Sequence, residues 1–358
     1  MKHMSRPYSI LLLGAGGSAG INFLRALRLK KKDYYIVGVD PNRFYLELAP
    51  VDKKYYVPYA KTDLSRYKKT ILSIIKKDKI QFVHAQPDEE VKIISDYREN
   101  LVPAKTLLPS KRGIDICQNK WLLYQCAREH NVPVPSTWQI SNETALKRLL
   151  KTKTKTYWIR ASSGAGGRAS LKVKSFEEAR MWIRYWTARG LSWNDFLLSE
   201  LLPGKEVSWL SLWKNGKLIC SQQKERYEWV QAHISPSGVG GTTAIQRTTS
   251  YSKVNDVTTR MVKAVDKSPN GIYVVDTKED DKGIPCVMEI NPGRFFTTSL
   301  FFATVGVNFP DIFVRLGLNL PIPNVSAYNS VTTGLFWIRV PDGGPVVMKT
   351  DRWTSKRV

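Results

Sequence analysis

The chain has 358 residues, 42% of them hydrophobic and 24% charged, and its 55 Lys and Arg against 31 Asp and Glu give a net charge of +24. That length exceeds one small core and points to two or three units, while the even mix of apolar and charged residues excludes disorder except at the extreme ends. The basic excess favours polyanionic partners such as nucleotides, acidic polymers, nucleic acid or an anionic membrane.

The basic clusters narrow this choice. Lys30-Lys31-Lys32, Lys76-Lys77-Asp78-Lys79 and the stretch Lys147 to Lys155 fall at expected helix ends and loops without regular aromatic interleaving. They read as a solvated basic surface rather than a nucleic-acid groove. No segment approaches the roughly 18 apolar residues of a membrane helix. The four cysteines (Cys117, Cys126, Cys220, Cys286) have no zinc-like or redox spacing. A cytoplasmic protein with reduced thiols and no membrane span is expected.

In chain order, Ser9 to Leu13 reads as a strand, Ala19 to Lys30 as a helix, Tyr34 to Val39 as a strand, Leu64 to Lys77 as a helix and Gln81 to Ala85 as a strand. Such alternation builds βαβ units around a parallel sheet. A helical Asn119 to His130 stops at Asn131-Val132-Pro133-Val134-Pro135, where two prolines mark a hinge near residue 135.

Beyond it, helix Thr144 to Leu150, strand Thr156 to Ala161, strand Ser170 to Val173, helix Phe176 to Ala188 and strand Phe196 to Glu200 form a compact α+β lobe. Strands Val207 to Trp213 and Leu218 to Gln222 flank Asn215-Gly216, a hairpin signal. Strands Gly271 to Asp276 and Pro285 to Ile290 follow, then a helical stretch and a basic tail. No internal repeat is visible.

Two glycine-rich turns follow strands. Gly14-Ala15-Gly16-Gly17-Ser18-Ala19-Gly20, with Asp40 ending the next strand, nearly matches a dinucleotide fingerprint. A glycine-rich turn is also the general way to let two backbones approach closely, and only one mononucleotide-like half is clear, which favours the packing reading. The second, in Tyr157-Trp158-Ile159-Arg160-Ala161-Ser162-Ser163-Gly164-Ala165-Gly166-Gly167-Arg168, joins a strand-end cation to a flexible loop. Its amides could face phosphate oxygens beside Arg160, or it could be an ordinary hairpin turn.

Downstream, Glu200-Leu201-Leu202-Pro203-Gly204-Lys205-Glu206 could offer backbone groups to an adenine edge and Glu206 to ribose hydroxyls. The third element is Asp276 with Glu289 and Asn291 on two neighbouring strands. Alternation in Met288-Glu289-Ile290-Asn291-Pro292-Gly293-Arg294 turns Glu289 and Asn291 to one face. Hard oxygen donors with spare coordination positions suit magnesium bridging ATP phosphates. Arg294 could hold an anion against it.

In their order, these elements resemble the ATP-grasp superfamily over about residues 8 to 320, in particular the carbamoyl-phosphate-synthase-like branch of carboxylate–amine ligases. The resemblance implies an α/β fold with a Rossmann-like pre-grasp domain over 1–112. The first part of the grasp fold would cover 113–203 with its lid lobe at about 136–203, the second grasp lobe 204–326, and a basic extension 327–358. By it, Lys120 and Arg160 would reach ATP phosphates, Ser162, Ser163, Gly164, Gly166 and Gly167 would form the phosphate lid, and Ser199, Glu200, Leu201 and Leu202 the adenine hinge.

The same resemblance makes Glu206 the ribose acceptor, Asp276, Glu289 and Asn291 the ligands of two Mg2+ ions (Mn2+ being a substitute), and Arg294 the residue that orients the carboxylate or acyl phosphate, with His233 where related enzymes place substrate or phosphate contacts. Gly293 interrupts the branch's usual Asn-Pro-Arg, and only one grasp unit is present, which argues against complete carbamoyl phosphate synthesis. The expected activity is ATP-dependent coupling of a carboxylate, on a small molecule or an acidic polymer, to an amine, in a chain that could form a homodimer. The rival readings are an NAD-dependent oxidoreductase and a basic polyanion-binding protein with a degenerate grasp site.

Overall fold

A computed structural model describes residues 7–29, 33–151, 155–164, 167–341 and 344–349. The first strands, β1 (Tyr8–Leu13), β2 (Tyr34–Asp40), β3 (Lys53–Tyr56) and β4 (Phe82–Ala85), form a parallel sheet in the order β3-β2-β1-β4. Ile10, Leu11, Leu12 and Leu13 are all fully buried, as a parallel strand covered on both faces requires. Side-chain alternation sends Ile10 and Leu12 to one apolar layer and Leu11 and Leu13 to the other.

The helix Leu64–Lys77 packs on this sheet through Tyr67, Ile71, Ile74 and Ile75. Their spacing makes one buried stripe, Asp63 caps the first turn by accepting from the Arg66 amide, and Lys76 and Lys77 complement the helix C-terminus.

The second sheet is antiparallel. It contains β5 (Thr137–Gln139), β6 (Tyr157–Ala161), β7 (Leu171–Val173) and β8 (Phe196–Glu200) in the order β5-β8-β6-β7. The helices Glu143–Lys151 and Phe176–Thr187 cover it, burying Leu146, Ala179 and Ile183 against Ile159, Val173 and Leu198. This lobe has its own core and is reached through Pro133 and Pro135.

The third sheet carries β9 (Glu206–Lys214), β10 (Lys217–Trp229), β11 (Thr243–Thr249), β12 (Gly271–Glu279), β13 (Pro285–Pro292), β14 (Leu335–Val340) and β15 (Gly344–Lys349). Their order is β13-β12-β9-β10-β11-β14-β15, every described pairing being antiparallel. Asn215 and Gly216 both adopt positive φ between β9 and β10, the geometry of a tight hairpin.

Two expectations need correction. Strand β10 does not stop at Gln222 but continues to Trp229, because Gln222, Gln223, Lys224 and Glu225 are buried and paired in the sheet although hydropathy marks them as loop. The C-terminal region is not simply a basic tail: β14 pairs with β11 and carries β15 on its far edge, with Phe336 and Trp337 buried. Residues 30–32, 152–154 and 350–358, which take in the first lysine cluster, part of the third and Trp353, lie outside the described residues.

The first and third sheets are joined firmly. The ring of His84 on β4 sits against Phe23, Phe295 and Phe313, and burial pushes this imidazole down to about 3, so it is a neutral core group. Asn22 in the helix Ser18–Arg28 donates to the Thr297 carbonyl at 2.8 Å, and Asn308 donates to that of Ala26 at 2.7 Å. Among the described residues no helix is long and apolar enough to cross a membrane.

Candidate functional site

A cleft of about 300 Å3 lies between the second and third sheets. Its upper wall comes from β6, β7 and the loop between them, its rear from the turn after β8, and its floor from β9, β10, β12 and β13. Of the residues expected from the sequence, Lys120, Arg160, Gly164, Gly167, Glu200, Leu201, Leu202, Glu206, Asp276, Glu289, Asn291 and Arg294 line it.

On the floor, Asp276 lies directly opposite Glu289 in the β12–β13 register, and Asn291 follows two residues on, which places all three on one face. Burial works to raise the Glu289 carboxyl, but the cations of Lys120, Arg160, Arg294 and Arg226 prevail and hold it below the usual carboxylate range. Burial likewise pushes the Lys120 ammonium down, with Glu289 opposing.

Each oxygen donor already faces a cation. Lys120 Nζ is 3.8 Å from Glu289 Oε2, Arg226 Nη2 is 3.6 Å from Asp276 Oδ1, and Arg294 donates to Asn291 Oδ1. Among the described residues no group of three or more His, Cys, Asp or Glu side chains could hold a metal by itself. Two carboxylates and an amide oxygen, compensated by positive charge and leaving positions free, nonetheless fit magnesium sharing phosphate oxygens.

Gly293, the residue that interrupts the expected motif, adopts a φ of +71° and donates its amide to the Ile272 carbonyl at 2.8 Å. A side chain there would meet Val91 and Leu108. Arg294 still reaches the cleft, where Asp88 at the start of the helix Asp88–Asp96 pins it through two contacts.

In the upper wall, Arg160 is buried and donates from Nη2 to the Met288 carbonyl at 3.2 Å, bringing β6 onto the floor strand β13. Lys120 spans the same gap from below: its amide donates to the Ser162 carbonyl at 2.8 Å and its ammonium to the Gly164 carbonyl at 2.7 Å. Gly164, at a φ of +95°, has open space around it, and Gly167 faces the Val239 carbonyl of a second glycine loop, Gly238 to Gly241, which also lines the cleft. Gly166 lies outside the described residues.

Four expected residues are placed differently. Ser162 and Ser163 sit in the loop without lining the cleft, the Ser162 amide donating to the Asp195 carbonyl at 2.7 Å. Ser199 is fully buried with its hydroxyl 3.0 Å from that of Thr137, so only the turn after it faces the cleft. His233 is exposed on a short helical turn, Ala232–Ile234, while the glycines a few residues later line the cleft.

Glu206 lies at the rear, but Arg226 is bonded to it. Arg226 also donates to Thr243 Oγ1 at 3.0 Å and Ser208 Oγ at 3.3 Å, and its guanidinium stacks on Trp229 at 3.7 Å. Arg226 and its cleft neighbour Lys224 were not anticipated, since both follow the point where the sequence suggested that β10 ends. The signal available was a period of two running on past Gln222 through Lys224 to Arg226.

The ATP-grasp domain family model matches residues 117–298, just over half of the chain. The protein belongs to the ATP-grasp family. No significant sequence match is found among curated proteins. Solved structures share the fold. The L-amino acid ligase from Bacillus licheniformis has a TM-score of 0.69 at 12% identity, the match covering 93% of this chain and 79% of that one. The biotin carboxylase from Campylobacter jejuni, solved as a β-γ-ATP complex, has a TM-score of 0.70 at 14% identity, covering 94% and 76%. The N5-carboxyaminoimidazole synthetase from Staphylococcus aureus, complexed with ADP, has a TM-score of 0.67 at 12% identity, covering 92% and 82%. The α/β architecture, with a Rossmann-like sheet preceding the grasp lobes, is that of these proteins.

Proposed function

We propose that this chain is an ATP- and magnesium-dependent ligase that activates a carboxylate as an acyl phosphate and couples it to an amine. The observation that carries the reading is the cleft itself: Lys120, Arg160, Arg226 and Arg294 surround Glu289, beside Asp276 and Asn291 and beneath an open glycine loop. A cation-rich pocket with oxygen donors on its floor is suited to a metal-bound polyphosphate.

In this reading Lys120, Arg160 and Arg226 neutralise the phosphates, the turn at Leu201 and Leu202 receives the adenine, and Glu206 receives the ribose once Arg226 turns to the phosphates. Asp276, Glu289 and Asn291 would hold two magnesium ions, which would supply further charge neutralisation, with manganese serving in their place. A carboxylate oxygen of the acid, oriented by Arg294, attacks the γ-phosphorus and ADP leaves. The amine then attacks the acyl carbon and phosphate leaves. Closure of the second sheet over the cleft excludes water from the acyl phosphate meanwhile.

The first glycine loop supports this reading over a nicotinamide enzyme. Asp40 Oδ2 accepts from the Gly16 amide at 2.9 Å and Oδ1 from the Asn42 amide at 2.8 Å, so the carboxylate that would take a ribose is engaged by the loop itself. The functional units we assign are 1–112, 113–203, 204–326 and 327–358, in a cytoplasmic protein that could act as a homodimer on a small or polymeric acid. The test is magnesium-dependent ADP formation over a panel of carboxylates and amines, with Glu289→Ala as control. ADP that requires one acid and one amine and is lost in the variant is expected. No turnover and no ATP binding would sink the reading in favour of a polyanion-binding protein.

A further inference from the structure

Among the cleft cations outside the cluster around Glu289, Lys224 is the most deeply placed on the floor. Lys224 is only 3% exposed, lines the floor and has neutral partners: its ammonium donates to Gln246 Oε1 at 2.7 Å and to Thr298 Oγ1 at 3.0 Å, and it lies 4.0 Å from the ring centre of Phe296. Among the described residues no carboxylate forms an ion pair with it. An ammonium removed from water without a counter-ion is costly unless something supplies the missing charge. Two of its three protons are used within the protein, which leaves one donor for a group entering the cleft.

The support behind Lys224 is elaborate for a residue of no function. Arg339 on β14 donates to both the carbonyl and the hydroxyl of Thr297, at 3.2 and 3.0 Å, and to the Thr243 carbonyl at 3.0 Å. Thr298, the next residue, holds Lys224. Gln246, its other holder, is fully buried with its Nε2 unpartnered and pairs in register with Trp337. Strand β14 lies outside the matched family region, which ends at residue 298. This strand therefore adds to the grasp core a clamp on one cleft lysine.

Position separates Lys224 from the cations around Glu289. Lys120, Arg160, Arg226 and Arg294 act on Glu289, whereas Lys224 stands by Phe296 and Thr298, beyond Arg294 along the chain. Resting on the ligase reading above, we propose that Lys224 contacts the acid substrate and binds its carboxylate alongside Arg294, with Arg339 on β14 as the positioning residue. The acid would then lie along Phe296 and Thr297, which also line the cleft. Burial pushes the Lys224 ammonium down to about 7, with Asp276 opposing and Arg339 assisting, so an arriving carboxylate would also restore its charge.

The experiment compares the native chain with Lys224→Met and Lys224→Arg. MgADP binding is followed by calorimetry, and ADP release over a panel of proteinogenic amino acids and short mono- and dicarboxylic acids. K224M should bind MgADP within about twofold of the native chain, while its KM for the activated acid rises by about 30-fold or more, the loss expected of a charge-assisted bond. K224R should recover part of that loss, which a merely structural lysine would not show. An unchanged acid KM in K224M, or a raised KM for ATP with the acid KM unmoved, would overturn the proposal. If the native chain releases ADP with no acid, it is the ligase reading that fails, and the native control alone reveals it.

Discussion

At the first glycine loop the backbone of Tyr45 lies 2.6 Å from where a side chain on Gly16 would begin, and the Gly14 carbonyl, with the Ala15 backbone behind it, fills the same space beside Gly20. At the second loop, Gly164 has nothing within 4 Å, and neither has Gly238 on the facing loop. Both stretches follow a strand and both are rich in glycine. In one the glycines let protein backbones touch, and in the other Gly164 and Gly238 leave the space between the loops open, as the proposed phosphate role requires. Glycine spacing records only that something must come close, and the packing says whether that thing is protein or substrate.

The largest effect should come from the open side of the cleft. Glu289→Gln keeps the shape of a side chain that four cations surround and removes its charge. ADP formation should fall on the order of 1000-fold, the scale of losing a group that stabilises charge during phosphoryl transfer. Turnover within tenfold of native, measured with saturating magnesium, would show that the open loop serves some other ligand.

The packed loop should answer in stability instead. Gly16→Ala must displace the Tyr45 backbone, an overpacking cost of about 1–3 kcal/mol, read as a lower thermal midpoint with turnover of the folded protein preserved. Loss of turnover without loss of stability would mean that this loop does bind a ligand.

Glu90, whose Oε2 lies 3.4 Å from the Cβ position of Gly14, gives the same region a pH signature. Burial pushes its carboxyl up to about 8, against the hydrogen bond from Tyr67 and with Asp40 and Glu89 adding to the rise. Between the ordinary value of 4.5 and about 8 the folded chain therefore holds a proton that the unfolded chain has lost. Its contribution is fully present below 4.5 and is lost as pH rises through about 8, so stability should decline over that window. Glu90→Gln should flatten the decline in denaturant melts taken across the window, and an unchanged slope would assign it to other groups.

Much of the scaffold could be read from the chain because local signals agreed with tertiary ones. The helix Leu64–Lys77 has a capping Asp63 and an apolar stripe, and the β9–β10 turn has its Asn-Gly pair. The floor could be foreseen for the same reason: strand alternation puts Glu289 and Asn291 on one face whatever they bind. Reading failed where burial is polar. Gln222 to Glu225 look like a loop and are core strand, satisfied by Tyr251, Gln246 and neighbouring carbonyls, so hydropathy hid Lys224 and Arg226. His233 misled because a glycine loop folds back within a few residues, and nearness in sequence to Gly238 did not carry the imidazole into the cleft.

The smallest effect tests the comparison most finely. Alanine at Gly164 meets no neighbour, so the change has no steric term, and its stability cost is that of holding an L-residue at a φ of +95°, about 1 kcal/mol. The carbonyl that accepts from Lys120 is retained. In the proposed reading this loop closes over the phosphates, and alanine narrows its backbone freedom, so kcat should fall by less than about tenfold with KM for ATP little altered, as for a hinge that gates closure. Set beside Gly16→Ala, which should leave turnover intact, the two substitutions separate in kcat. If Gly164→Ala left kcat unchanged, or Gly16→Ala lowered it as far, the distinction between the two loops would fall.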